Sequence, residues 1–504
     1  MKRADEEHSL LVEHGDSTTT GRVLPTALPA VPAQPVTRAE PSAEAPAVDA
    51  RLAVLALLRV HAWNATSFQV LEQGFSYWFD PDVDACVAYV DTGHAWVAAG
   101  CPIASEANLA ASSERFVRAA RTAGRRTCFF AVEDRFLRSA GMESMPIGEQ
   151  PSWDPAIWED VVAGERRLRE QLRRARAKGV HIRPIPADDL ARDSAPLKPQ
   201  IDALIAGWLA ARKMAPMGFL VDVQPFDFAS ERRCFVAEQD DRIVGLLVAV
   251  PVYVRRGWLF EDLLRAQGAP NGTSELLIDA AMRAVAREGS RYVTLGLAPL
   301  SGGVEGWLRA FRACGAALYD FDGVRRFKAK LRPSMWTTIH LAWPEGGSGN
   351  ASIVDALAAF TMRPRDGHAR ASFIRFGLET LAHAPAFGVR VLAVVLVPWT
   401  IALAMAQAAR FFPSRDVQLG WVVWDIALAV AMIALGWRWR PGLARALACA
   451  TLLDAALSIL EVLGDAGGRA RGALDGALMA VGCCGPVLAT SLLWGSLARR
   501  PRAR

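Results

Sequence analysis

The sequence predicts an α/β protein in which one α/β unit occurs twice, joined by a basic helix and followed by four apolar helices. Three observations carry this. The segments FVRAARTAGRRTCFFAV (116–132) and AMRAVAREGSRYVTLGL (281–297) share one layout, a helix that ends at a glycine and then a strand. Between about residues 51 and 345, stretches of strand-like alternation interchange with stretches of helical periodicity. Near the C-terminus, four stretches are each long enough to cross a hydrocarbon core about 30 Å thick. They run about Phe387–Ala406, Val417–Trp437, Gly442–Leu463 and Ala473–Leu497.

Taken in order, residues 1–50 are rich in Pro, Ala, Thr and Ser without apolar periodicity, and read as a disordered tail. The start lacks an apolar core after Met1-Lys2-Arg3, so it is not a signal peptide. Residues 51–187 form the first unit with its basic helix, and residues 188–345 the second. Strand-like runs are Cys86–Val90, Ala95–Ala99, Thr127–Val132, Cys234–Glu238, Ile243–Pro251, Gly257–Glu261 and Tyr292–Leu297. Helical runs are Glu114–Ala123, Trp158–Lys178, Ile201–Arg212 and Ser274–Arg287. Each copy of the unit is preceded by a hairpin, turning at 91–93 and at 239–242. This order suits a tandem acyltransferase (GNAT-like) fold. Residues 346–386 are a linker, 387–498 the apolar helices and 499–504 a basic tail.

The chain of 504 residues is 52% hydrophobic, with a net charge of +5 that is unevenly spread. Arg363, Arg365, Arg370, Arg375 and Arg390 precede or open the first apolar stretch. Arg438, Arg440 and Arg445 lie between the second and third, and Arg499, Arg500, Arg502 and Arg504 follow the fourth. The two remaining loops hold only Arg410 and Arg415, then Arg469 and Arg471. The positive-inside rule then places the α/β part and the C-terminus in the cytoplasm at the inner membrane. Asp425, Asp454, Glu461 and Asp475 fall within or at the ends of these stretches, where an acid is either a functional group or the partner of a flanking arginine. The eight cysteines show no CxxC or Cys/His spacing and read as small buried residues of a reducing compartment.

Three constellations bear on chemistry. In LFEDLLRAQGAPNGTSELL (259–277) a strand ends with Asp262 and Arg265 next to a helix start. Such a corner holds an anion and deprotonates a hydroxyl, or is an ion pair that fixes a turn. RAQGAP (265–270) nearly matches the pyrophosphate loop of coenzyme A enzymes, but Pro270 offers no N–H, which argues against coenzyme A. GERRLREQLRRARAKG (164–179) packs seven cations on one helix, a surface for RNA or an anionic bilayer, or simply a solvated face. FDGVRRFKAKLRPSMW (321–336) alternates cations as a strand would, putting Arg326, Lys328, Lys330 and Arg332 on one face. No histidine stands in a triad, and no GxSxG, P-loop or HExxH occurs, so neither a metal nor a cofactor is expected.

DLLR (262–265), the glycine-rich turn into a helix, LGLAPLSG (295–302) and YDFDGVRRFKAKLRPSMW (319–336) together resemble the synthase domain of the phosphatidylglycerol lysyltransferases, the multiple peptide resistance factors. RRLREQLRRARAKGV (166–180) looks like a further element of that family, and the resemblance spans about Ala65–Trp343. It implies a tandem GNAT-like enzyme that moves an aminoacyl group from aminoacyl-tRNA to a lipid hydroxyl, most often that of phosphatidylglycerol, lowering membrane negative charge and favouring resistance to cationic peptides. The implied catalytic residues are Asp262 and Arg265, matching the family's D-L-M-R, with Glu275 to receive the aminoacyl ammonium. Arg325, Arg326, Lys328 and Lys330, with Arg173 and Arg174 of the basic helix, are the implied contacts with tRNA or lipid phosphate. DNA is not an expected partner. The chain departs from the family at Gly100-Cys101-Pro102, where an acid is lost, and in carrying its apolar helices after the synthase part rather than before it. Those helices read as an anchor. The rival readings are transfer to another lipid or to a peptidoglycan precursor, a non-catalytic GNAT-like membrane protein, and a coenzyme A-dependent N-acyltransferase.

Overall fold

In a computed structural model, residues 47–499 are described, apart from 192–196, 222, 317, 363–368 and 463–472. The N-terminal tail, Arg363, Arg365, Arg469, Arg471 and the final basic residues 500–504 lie outside the described residues, as does the side chain of Asp475. The first half runs α1 (Ala47–His61), β1 (Ser76–Phe79), β2 (Cys86–Asp91), β3 (Ala95–Ala99), α2 (Leu109–Thr122), β4 (Arg126–Val132), α3 (Asp134–Ala140) and β5 (Glu143–Trp153). Helices α4 (Trp158–Gly164) and α5 (Arg166–Ala177), strand β6 (His181–Ile185), and helices α6 (Ala187–Ala191) and α7 (Lys198–Ala210) follow. The second half continues with β7 (Arg233–Gln239), β8 (Arg242–Val252), β9 (Gly257–Arg265), α8 (Thr273–Arg287), β10 (Tyr292–Thr294), β11 (Ala298–Pro299), α9 (Gly306–Gly315), α10 (Phe321–Lys330) and β12 (Met335–Trp343).

The expected duplication is present. Strands β3 and β4 pair in parallel across α2, and β9 and β10 pair in parallel across α8. Both crossover helices stop at the same device. Gly124 and Gly289 take φ of +70° and +80°, and the next amide, of Arg125 or Ser290, reaches back to the carbonyl of Ala120 or Val285. That six-to-one bond is a Schellman cap, and glycine supplies its left-handed residue without strain.

The two halves share one sheet of order β1-β2-β3-β4-β12-β5-β10-β9-β8-β7-β6, with β11 on β5. Each half lends its last strand to the other: β12 pairs with β4, and β5 pairs with β10. Strands β12 and β5 then pair with each other along their length at the centre. One apolar cluster, including Phe68, Val97, Leu259 and Leu341, spans both halves on one side of the sheet. Another, including Trp158, Leu172, Phe260, Leu277 and Val293, packs α4, α5 and α8 against the second half.

One expected element is corrected. Residues 321–330 form helix α10, not a strand, so Arg326, Lys328, Lys330 and Arg332 do not line one strand face. The carboxylate of Asp320 caps the helix by accepting the Gly323 N–H at 2.8 Å. Phe321, Val324, Phe327 and Leu331 recur at helical spacing, and burial of Phe327 and Leu331 against the second core outweighs the alternation of cations.

Beyond β12 come α11 (Gly349–Thr361), α12 (Ala369–His383), α13 (Pro385–Ala404), α14 (Arg415–Trp437), α15 (Pro441–Glu461) and α16 (Ala473–Arg499). Among the described residues, α13, α14 and α15 are long and apolar enough to cross a membrane, while α16 contributes a shorter apolar stretch, Gly482–Leu497. The four helices pack around Val389, Leu428, Leu435, Leu447 and Leu493.

Candidate active site

The sheet opens between β9 and β10. Their parallel pairing covers only Gly257–Leu259 against Tyr292–Thr294, after which β9 continues to Arg265 while the other chain turns away at Gly296, whose φ is +69°. Residues 298–299 then pair with β5 instead. A gap is left between the second half of β9 and the segment Leu295–Leu297.

On one face of the gap stand two adjacent acids. A bulge lets Val248 oppose Asp262 while Ala249 opposes Phe260, so Glu261 is the extra residue. Phe260 and Leu263 pack with the α8 side, and Leu264 with the opposite core, so the bulge turns Asp262 away from α8. Asp262 is buried, 8% exposed. Glu261 accepts from Arg232 Nη1 at 2.8 Å, with both side chains almost fully covered (5% and 3% exposed). Arg232 also donates Nε to the Asp227 carbonyl at 2.7 Å and lies 5.3 Å from the ring of Phe68, which comes from the first half. Cys234, across Val248 from Asp262, senses this field. Burial pushes its thiol up to about 12, with Arg232 opposing and Asp262 and Glu261 adding to the rise.

Arg265 is elsewhere. It is exposed, and three residues from Asp262 on a strand it alternates to the α8 face. The structure therefore separates the two members of the DLLR corner. The buried cation at the acids of β9 is Arg232, paired with Glu261, and nothing in its local sequence, ERRCF (231–235), marks it as buried. The adjacent acids in an otherwise apolar strand, FED (260–262), were the readable sign of the bulge.

The opposite face carries the other residues. Glu275, in the first turn of α8 and 7% exposed, accepts from Lys330 Nζ of α10 at 2.6 Å. The ammonium at Glu275 is thus the chain's own. Lys328 corrects its expected phosphate-contacting role. It is 8% exposed, and its Nζ donates to the carbonyls of Leu295, Gly296 and Leu297 at 2.8, 2.8 and 2.9 Å, tying down the far wall of the gap. Burial pushes its ammonium down to about 7. That value lies below the ordinary lysine range, so between about 7 and 10 the unfolded chain binds a proton that the folded one does not. Stability relative to Lys328→Met should accordingly rise with pH through that window, which denaturant titrations at several pH values measure.

Arg325 donates Nε to Glu149 at 3.1 Å and lies over Trp336, whereas Arg326 is open to solvent, 4.0 Å from Asp320. On α5, Leu168, Leu172 and Ala175 are buried and the arginines point outward. Arg173 is exposed, Arg174 pairs with Glu170 on the same helix, and Arg176 reaches the buried Asp279 of α8 at 3.0 Å.

Helix α5 also lies across the start of α8. Gly272, the N-cap of α8 with φ +96°, faces the backbone of α5 so closely that a Cβ would sit 2.3 Å from the Gln171 carbonyl oxygen. Pro270 adds its carbonyl, which accepts from Thr273 Oγ1 at 2.7 Å. The helix end that would seat a coenzyme A pyrophosphate is thus closed over by protein. Gly272→Ala should destabilise the fold by roughly 1–3 kcal/mol through strain and overlap, read by chemical denaturation.

A family model for the phosphatidylglycerol lysyltransferase C-terminal domain matches residues 56–342. The chain belongs to that family. The phosphatidylglycerol lysyltransferase domain therefore covers the shared sheet, both units and the gap, and this is a transferase family. Among solved structures, the C-terminal domain of a protein assigned as a lysylphosphatidylglycerol synthetase from Agrobacterium fabrum aligns with a TM-score of 0.52 and 20% identity, over 62% of this chain and 97% of that one. L-PGS from Bacillus licheniformis aligns with a TM-score of 0.53 and 20% identity, over 62% and 97%. Both show that the lysyltransferase domain has the same fold. No curated protein matches the chain.

Proposed function

We propose that the chain is a membrane-anchored aminoacyltransferase that moves an amino acid from aminoacyl-tRNA to the hydroxyl of a phospholipid, with phosphatidylglycerol as acceptor. The observation that supports it most is the gap in the sheet, with a carboxylate on one face and basic elements on the other. A donor arriving from the α5–α8 face and an acceptor from the Asp262 face meet there without sharing an entrance.

The chemistry is a transesterification. The lipid hydroxyl oxygen attacks the ester carbonyl carbon of the aminoacyl group, forming the new C–O bond. Asp262 takes the hydroxyl proton, the bond to the tRNA ribose breaks, and the proton passes to the ribose oxygen that leaves. One ester replaces another, so no nucleotide is consumed. Arg265 and the exposed arginines Arg166, Arg167 and Arg173 face the donor side and neutralise RNA phosphates. Helices α13–α15 hold the site at the bilayer, and the flanking arginines orient it to the cytoplasm, where aminoacyl-tRNA is found.

The test uses the purified full-length protein in phosphatidylglycerol vesicles with tRNA charged with radiolabelled amino acids. Label should enter the lipid phase, and ribonuclease or replacement of the lipid by phosphatidylethanolamine should abolish it. Absence of labelled lipid with every charged tRNA overturns the reading. In the same assay, Arg167→Ala with Arg173→Ala should weaken tRNA binding and flatten the plot of log affinity against log salt by about 1–2 units.

A further inference from the structure

Between α13, α14, α15 and α16 lies a cavity of about 210 Å³. Its walls are mostly apolar and include the rings of Trp399, Phe412 and Trp421. Asp425 of α14 and Asp454 of α15 also line it, 4% and 6% exposed, with Asp454 in electrostatic reach of Asp425. Glu461 lines it too but is satisfied by the Trp421 indole N–H at 3.1 Å. Thr400 lies within hydrogen-bonding reach of Asp425, yet Asp425 Oδ2 is buried with no hydrogen-bond partner among the described residues. A carboxyl oxygen left so in an apolar helix bundle costs several kcal/mol unless something balances it.

The surroundings narrow what that is. Among the described residues no group of three or more acids, histidines or cysteines is placed to hold a metal ion. Two neighbouring carboxyls in such a medium do not both keep a full charge, so a single positive charge balances the pair. Aromatic rings and aliphatic walls suit a cation that carries apolar groups, through cation–π contact and burial. The volume exceeds the roughly 150 Å³ of a cavity that holds benzene, and is far below that of a whole lipid.

We propose that this cavity is a binding site for a small organic monocation, an amine or quaternary ammonium bearing an aromatic or short alkyl group, with Asp425 and Asp454 as its counter-charge. It is separate from the gap in the sheet, so it stands whether or not the lipid reaction does.

The test is calorimetric titration of the full-length protein in lipid nanodiscs with benzyltrimethylammonium, and with its neutral isostere neopentylbenzene. Empty nanodiscs are subtracted. The cation should bind saturably and at least about tenfold more tightly than the isostere, and Asp425→Asn and Asp454→Asn should each weaken it by about tenfold or more. Aminoacyl transfer, assayed in parallel, should be unchanged in both variants. Cation binding no tighter than that of the isostere overturns the site on the wild-type protein alone, even if the variants misfold. So does undiminished cation binding in an Asp425→Asn protein that keeps its transferase activity.

Discussion

Asp262→Asn is expected to reduce aminoacyl transfer by about two to four orders of magnitude while leaving the protein folded, since it removes the proton acceptor but keeps the shape of the side chain. The environment sharpens the expectation. Glu261, next to Asp262 on the same strand, is engaged by the buried Arg232, so its charge is held by that pair. Glu261→Gln should act differently. It leaves Arg232 buried without its counter-charge, and the loss should show first in stability, by about 3–5 kcal/mol. Transfer rates and denaturation midpoints of the two variants, measured side by side, separate proton transfer from support. Equal damage to both quantities in both variants contradicts the assignment.

Lys328→Met is expected to be the more damaging change to the structure. The substitution keeps the apolar stem but strips the donors from three backbone carbonyls at the wall of the gap. An unsatisfied buried acceptor costs about 1–3 kcal/mol, so the total should reach several kcal/mol even with partial relaxation. The same carbonyls fix where Leu295–Leu297 diverges from β9, so transfer should fall even at temperatures where the variant remains folded. Lys330→Met, two residues on and only partly covered, leaves the buried carboxylate of Glu275 without its partner, so it too should lower stability, by about 1–3 kcal/mol, but without opening the wall of the gap. A Lys328→Met protein as stable as the wild type contradicts the structural role.

The contrast between these two lysines shows what the sequence makes legible. Both belong to one motif, KAK (328–330), and alternation alone puts them on the same face of a strand. The helix turns them apart, one into a cage of carbonyls and one to the rim. The competing signal was present in Phe321, Val324, Phe327 and Leu331, but a five-cation alternation is more conspicuous than four apolar residues at helical spacing. The crossover units were legible because their code is local, a helix, a glycine with positive φ and a strand. The exchange of β5 and β12 was not, since a strand's partner lies far off in the chain and leaves no mark on its own residues. Asp262 was legible as an acid at a strand end. Its separation from Arg265 and the pairing of its neighbour Glu261 with Arg232 depend on a bulge and on a residue from elsewhere in the chain, and neither follows from spacing.

The measurement that bears most directly on the account is mass spectrometry of total lipids from cells that carry the wild-type protein, Asp262→Asn or neither. The account predicts a phosphatidylglycerol species heavier by one aminoacyl residue with the wild type, and its absence in the other two. A lipid profile identical in all three, with the wild-type protein folded in the membrane, contradicts it.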